Sequence, residues 1–195
     1  MKLLFPTVIH ELKVDNFKSI KNDLVNFVYS EREKDPAGLK FSNMGGWQSK
    51  PTYKDYDNIL LSLVTKAIKS YFSENVLDMG KEIVFEGLWM NINKKGDYNT
   101  THDHPNCHMG GAFWINSPEG CGNFECQSPH SYNCGQEINV YTPNFREKTN
   151  SYGSYGFLPT EGSIMLFPAS LNHRVTPNQS DEDRISSSFN LTFKI

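Results

Sequence analysis

The stretch TTHDHPNCHMGGAFWIN, Thr100 to Asn116, decides how this chain folds. A short extended piece is punctuated by Pro105, Asn106 and the pair Gly110–Gly111, and an apolar, aromatic run continues from Gly111 to Asn116. Short β-prone runs separated by Gly, Pro and Asn are the grammar of an antiparallel sandwich or barrel. The same grammar holds on both sides. Ile83–Asn93, Asn123–Gln127, Ser163–Phe167 and Ile185–Lys194 are the other candidate strands, and in the last of them Ile185, Phe189, Leu191 and Phe193 favour one face. From Lys81 onward the chain therefore reads as all-β. Between Ser128 and Gly162 lies a long stretch heavy in Tyr, Asn, Ser and Gly, strand-like only at Ile138–Tyr141. An insertion of that length is usually a functional loop or lid.

Upstream the periodicity changes. With Asp15 as N-cap, Phe17, Ile20, Leu24, Phe27 and Val28 recur at three- and four-residue steps and predict an amphipathic helix that stops before Pro36. A loop of small and polar residues, Phe41–Pro51, follows. The pairs Ile59/Leu60, Leu63/Val64, Ala67/Ile68 and Tyr71/Phe72 then mark a second helix with one broad apolar face. Residues 1–80 read as helical support and 81–195 as a β-core carrying the 128–162 insertion. The 195 residues, 37% hydrophobic and 13% aromatic, provide for one core, so the expectation is a single α+β domain, mainly β with N-terminal helices.

Charge narrows the function. Nineteen basic against 22 acidic residues argue against a dedicated nucleic-acid binder or a tail for membrane lipids. No run approaches the roughly 20 apolar residues that cross a bilayer. The apolar start Met1-Lys2-Leu3-Leu4-Phe5-Pro6 is too short for a signal peptide. The expected location is cytoplasmic and the expected partner a small-molecule or peptidyl substrate; a homodimer is compatible, though no surface stripe marks one. Cys107, Cys121, Cys126 and Cys134 are few for this length and come with no secretion signal, so they read as free thiols, with a disulfide or a zinc cluster as the alternatives; Cys121 and Cys126 lack the CxxC spacing that marks zinc strongly.

The histidines carry the chemistry. His102, His104 and His108 fall within seven residues. On an extended strand the i, i+2 pair His102 and His104 shares a face while Asp103 points away, so both imidazoles can reach one ion. The best third ligand is His173, after the run Phe167–Asn172 that reads strand then turn. Three imidazoles on one side of an octahedral ion leave positions open for substrate and oxygen. A lone HxH pair is more often an accident of surface or core than a metal site. What changes the balance is Arg184, separated from His173 by ten residues, with Ser186 on the same face of the final strand. A guanidinium fork binds a carboxylate bidentately and a hydroxyl adds a further bond, so metal and clamp together would hold a small dianion by both ends. Asn91 and Asn93, also i and i+2, are candidates to line the mouth and bond a cosubstrate, or to serve a turn or ladder. Trp89, Phe113 and Trp114 suit barrel packing better than a substrate platform. Gly110 and Gly111 mark a bulge or a close backbone approach.

The sequence resembles the Fe(II)- and 2-oxoglutarate-dependent oxygenases, and within them a subfamily of bacteria and tailed phages. The resemblance is carried by Ser42-Asn43, Gly46–Ser49, Trp89–Asn93 with Gly96-Asp97, His102–Asn106, Gly111–Trp114, Pro118–Asn123, Phe167-Pro168, His173 and Arg184–Asn190. It runs from about Phe41 to the end. It implies a double-stranded β-helix, or jelly roll, that binds Fe(II), takes 2-oxoglutarate and O2, and releases succinate and carbon dioxide as it hydroxylates a C–H bond. In the wider superfamily the metal motif is His-x-Asp or His-x-Glu followed by a distant His; here the carboxylate position reads as His104. The implied ligands are His102, His104 and His173, with sets that include Asp103 or His108 as alternatives. Arg184 matches the basic residue that takes the distal carboxylate of 2-oxoglutarate, and Ser186 the hydroxyl that assists it. Two other functions fit the same residues: a cupin-like metalloenzyme that does not use 2-oxoglutarate, and an inactive jelly-roll binding or structural module.

Overall fold

The computed structural model describes residues 3–52, 59–75 and 82–194. In chain order the elements are β1 (His10–Lys13), α1 (Phe17–Lys34), β2 (Asn43–Met44), β3 (Trp47–Gln48), α2 (Ile59–Asn75), β4 (Glu82–Asn93), β5 (Tyr98–His102), β6 (Met109–Asn116) and β7 (Phe124–Gln127). They continue with α3 (Ser131–Cys134), a 3-10 turn at Gln136–Val140, α4 (Pro143–Thr149), β8 (Ser154–Phe157), β9 (Ser163–Pro168), β10 (His173–Val175) and β11 (Arg184–Lys194). The strands form two antiparallel sheets, one of six in the order β1-β9-β6-β11-β4-β3 and one of five in the order β2-β5-β10-β7-β8.

Strand alternation explains why the sheets face each other. On β6 and β9 the side chains of Phe113, Ile115, Ile164 and Leu166 point to one side, where they join Leu24 and Val28 of α1 and Leu60, Val64 and Ile68 of α2 in the larger apolar cluster. Ala112, Trp114, Met165 and Phe167 alternate with them. They point inward to meet Phe124 and Cys126 of β7 in a second cluster. The helices thus cover the outer face of the six-stranded sheet, and its inner face packs on the five-stranded sheet. This is a jelly roll. β11 shows the same alternation: Ile185, Phe189 and Leu191 go to the helix side, which leaves Arg184, Ser186, Ser188 and Asn190 for the inside.

Several expectations need correction. The first 80 residues are more than helical support, since β1 pairs with β9 and β2 and β3 join opposite sheets. The loop Phe41–Pro51 is a link between the sheets, turned by Gly45 and Gly46, both at positive φ. The N-cap of α1 is Asn16, left-handed at φ 52 and without a side-chain cap bond, in place of Asp15. Ile138–Tyr141 is no strand: its residues belong to the 3-10 turn and its end. The strand this insertion contributes is β8, which pairs with β7. The expected boundary residue Lys81 lies outside the described residues. No helix among the described residues is long and apolar enough to cross a membrane, and all four cysteines are unbonded.

Candidate metal centre

His102 ends β5 and His173 opens β10, and the two residues are direct partners in the antiparallel register. Their side chains therefore leave the sheet on one face, a few ångströms apart. His104 lies two residues beyond the strand. Its position is set by a bond from its backbone N–H to the Ala169 carbonyl, 2.9 Å. The three rings close into a triangle with centroid separations of 4.4, 5.0 and 5.3 Å, and one nitrogen from each lies within 4.8 Å of the others. Gly110 makes room for this. A Cβ there would come 2.5 Å from the Phe167 ring and 3.1 Å from His104 Nδ1, so the expected close backbone approach is real and serves the histidine.

The hydrogen bonds decide which nitrogens face inward. Nδ1 of His102 lies 2.7 Å from the Thr100 carbonyl, Nδ1 of His173 2.8 Å from the Leu171 carbonyl, and Nδ1 of His104 2.5 Å from Asn190 Oδ1. Each of these oxygens only accepts, so each Nδ1 carries the proton and each Nε2 keeps its lone pair. That is the tautomer metal-bound histidines adopt, their second nitrogen held by a carbonyl or carboxylate. Burial keeps the rings neutral. His173 is packed between Phe124 and Phe167 at centroid distances of 5.1 and 4.5 Å, and its pKa is pushed down to about 3, chiefly by burial and in part by His102 and His104, against the opposing pull of the Leu171 carbonyl. His102 and His104 are lowered by burial too, partly offset by the Thr100 carbonyl and Asn190. Three neutral Nε2 donors suit Fe, Zn, Cu and Ni.

The triangle forms part of the wall of a cavity of about 620 Å³ between the sheets. From β11 come Arg184, Ser186, Ser188 and Asn190; Asn91 and Asn93 of β4 line it as well. Arg184 is 1% exposed. Its Nη1 donates to the carbonyls of Cys121 and Thr176, the latter at 2.9 Å, while its Nη2 is buried without a partner. Among the described residues no carboxylate pairs with it. Burial lowers its pKa to about 10, which still leaves a cation at neutral pH. An unpaired, buried guanidinium in a cavity with three convergent imidazoles fits a carboxylate ligand bound beside a metal.

All seven predicted site residues, His102, His104, His173, Arg184, Ser186, Asn91 and Asn93, therefore meet in one cavity. Asn91 and Asn93 are buried within it, and Asn91 Nδ2 donates to Ser188 Oγ at 3.1 Å. The alternatives separate. His108 turns away, its Nδ1 accepting from the Phe193 N–H at 3.0 Å and its ring stacked on Phe193. Asp103 is exposed and belongs to the cavity wall without joining the triangle. Sequence reasoning missed Asn190 as the partner of His104, although the i, i+2 series Arg184, Ser186, Ser188, Asn190 carried the signal.

Comparison with known proteins agrees with this geometry. The family model described as "Putative 2OG-Fe(II) oxygenase" matches residues 87–190, just over half of the chain, and this chain belongs to that family of 2-oxoglutarate- and Fe(II)-dependent oxygenases. Fe(II), 2-oxoglutarate and oxygen are the cofactors this membership implies, and the residues present fit them. No curated protein matches in sequence. Among solved structures, the viral collagen prolyl hydroxylase of Paramecium bursaria Chlorella virus-1, in complex with 2-oxoglutarate, superposes with a TM-score of 0.61 at 12% identity over 96% of each chain. A Pseudomonas putida prolyl-4-hydroxylase gives 0.62 at 11% identity over 95% of this chain and 92% of that one. HygX from Streptomyces hygroscopicus, with nickel, 2-oxoglutarate and hygromycin B bound, gives 0.59 at 8% over 95% and 83%. At such identities the likeness is one of fold.

Proposed function

We propose that this protein is a hydroxylase, with His102, His104 and His173 holding Fe(II) and Arg184 and Ser186 holding the distal carboxylate of 2-oxoglutarate. The observation that carries the reading is the pairing, in one cavity, of three inward Nε2 lone pairs with a buried guanidinium whose Nη2 has no partner and which no carboxylate pairs with among the described residues. When bound, iron and 2-oxoglutarate supply the oxidative chemistry: oxygen is consumed, the oxo acid leaves as succinate and carbon dioxide, and a substrate C–H bond is hydroxylated.

The chain's own part is to bind and orient. Three neutral imidazoles add no charge to the ion, so the carboxylate of the cosubstrate at the metal would offset one of its two positive charges. Arg184 compensates the far carboxylate. The apolar walls from Trp89, Trp114, Phe124 and Phe167 restrict water around the reacting atoms. A cavity of about 620 Å³ leaves room for a small molecule or a peptidyl side chain beside the oxo acid.

Anaerobic titration tests the reading. Iron-loaded protein given 2-oxoglutarate should develop the weak visible charge-transfer band of the chelate, and on admission of oxygen should form succinate. Metal binding with no band at saturating oxo acid would favour a metalloenzyme that does not use it. A band with no oxygen-dependent succinate, across varied substrates, would favour a binding module.

A further inference from the structure

Trp114 of β6 sits directly opposite Ser186 of β11. Its side chain points inward with Ala112, lines the cavity, and packs edge-on against Phe124 at a centroid distance of 6.3 Å. The residue is 2% exposed, and its Nε1 is buried without a hydrogen-bond partner. An indole nitrogen only donates, so this deficit can be met only by an acceptor. Elsewhere in the chain a buried indole has found one: Trp47 Nε1 donates to the Asp35 carbonyl at 2.8 Å. Five buried side-chain atoms among the described residues lack partners, and two of them, Trp114 Nε1 and Arg184 Nη2, belong to residues that line this cavity. Two residues with orphaned donors therefore line one cavity from adjacent strands, and Ser186, two residues from Arg184, is the direct partner of Trp114 in the pairing.

An ionised carboxylate has about four lone-pair positions, more than Arg184 and Ser186 fill. We propose that Trp114 donates its indole N–H to the distal carboxylate of 2-oxoglutarate, as a third donor beside Arg184 and Ser186. The proposal rests on the reading of Arg184 and Ser186 as the clamp, and it adds a role in selecting the cosubstrate. A 2-oxo acid that ends in a methyl group leaves this N–H unpaired, so Trp114 sharpens the preference for a dicarboxylate.

The test uses full-length protein labelled with 15N at the indole nitrogens and loaded with redox-inert Zn(II), titrated with 2-oxoglutarate or with 2-oxopentanoate, which lacks the distal carboxylate. The Trp114 N–H cross-peak, assigned by comparison with Trp47→Phe and Trp89→Phe proteins, should move downfield with 2-oxoglutarate and stay in place with 2-oxopentanoate. Calorimetry on Trp114→Phe should show about tenfold weaker 2-oxoglutarate binding, equal to roughly 1.4 kcal/mol, with Zn(II) and 2-oxopentanoate affinities unchanged. A cross-peak that responds alike to both acids, or a Phe variant that binds 2-oxoglutarate as tightly as the parent, overturns the role of Trp114 and leaves the clamp standing. If the Zn(II)-loaded parent binds neither acid, the underlying clamp reading falls and this proposal with it.

Discussion

Arg184 and Asn190 stand six residues apart on one face of one strand and do different work. On the proposed role of Arg184, removing its side chain leaves the distal carboxylate of 2-oxoglutarate without its buried partner, a loss of about 2–5 kcal/mol. Arg184→Ala should therefore raise the apparent 2-oxoglutarate requirement by about one and a half to three and a half orders of magnitude while Fe(II) affinity, measured by competition with a chelator, barely changes. If iron affinity fell as far, the roles assigned to the two ends of the cavity would be wrong. Asn190 acts through His104. Without the Oδ1 acceptor the ring is free to rotate or change tautomer, and losing such an outer partner typically costs about 10–100-fold in metal affinity. Asn190→Leu should show that loss, and Asn190→Asp, which keeps an acceptor, should not. The histidines and the arginine were legible as sequence because their spacing is periodic. Asn190 was legible only in part: the i, i+2 series from Arg184 puts it on the inner face of the strand, but its partner His104 is fixed only by the fold.

Helix α1 packs on β6, and the helix-side residues of the neighbouring strand β11 join the same apolar cluster. Leu24 and Val28 are fully buried against the helix-side face that includes Ile185, Phe189 and Leu191. Leu24→Ala should cost about 2–5 kcal/mol, the range for emptying a buried leucine site, seen as a lower denaturant midpoint in chemical unfolding. Because the inner face of β11 is separated from that contact by the sheet itself, 2-oxoglutarate affinity of the folded variant should stay within about twofold, the spread expected of sites that do not share partners. A matching loss of affinity would show that the two faces are coupled. Both long helices were readable from their 3.6-residue repeat. The two-residue strands β2 and β3 were not, since two residues hold no period, and β8 was hidden in an insertion whose composition reads as loop.

At the scale of the whole molecule, the metal centre ties the sheets together. His102 and His173 lie on β5 and β10 of one sheet, and His104 is held by Asn190 of the other. A ligand that binds only the folded form at about one hundred times its Kd adds about 2.7 kcal/mol of stability. Fe(II) with 2-oxoglutarate under anaerobic conditions should therefore raise the melting temperature by several degrees for a chain of this size, and a chelator should return it to that of the metal-free protein. An unchanged melting temperature at saturating metal would mean that the three imidazoles hold no ion. Periodicity along the chain was enough to determine that β-strands follow two amphipathic helices, that two imidazoles of one segment share a face, and that a guanidinium and a hydroxyl share another. Only the tertiary structure decided that His108 turns away, that the N-terminal third contributes strands to both sheets, and that Asn190 and Trp114 belong to the cavity. The physical reason is that periodicity is local, set by the rotation of each residue about its own strand or helix, whereas a hydrogen bond between residues 86 positions apart, as between His104 and Asn190, exists only once the sheets have closed on each other.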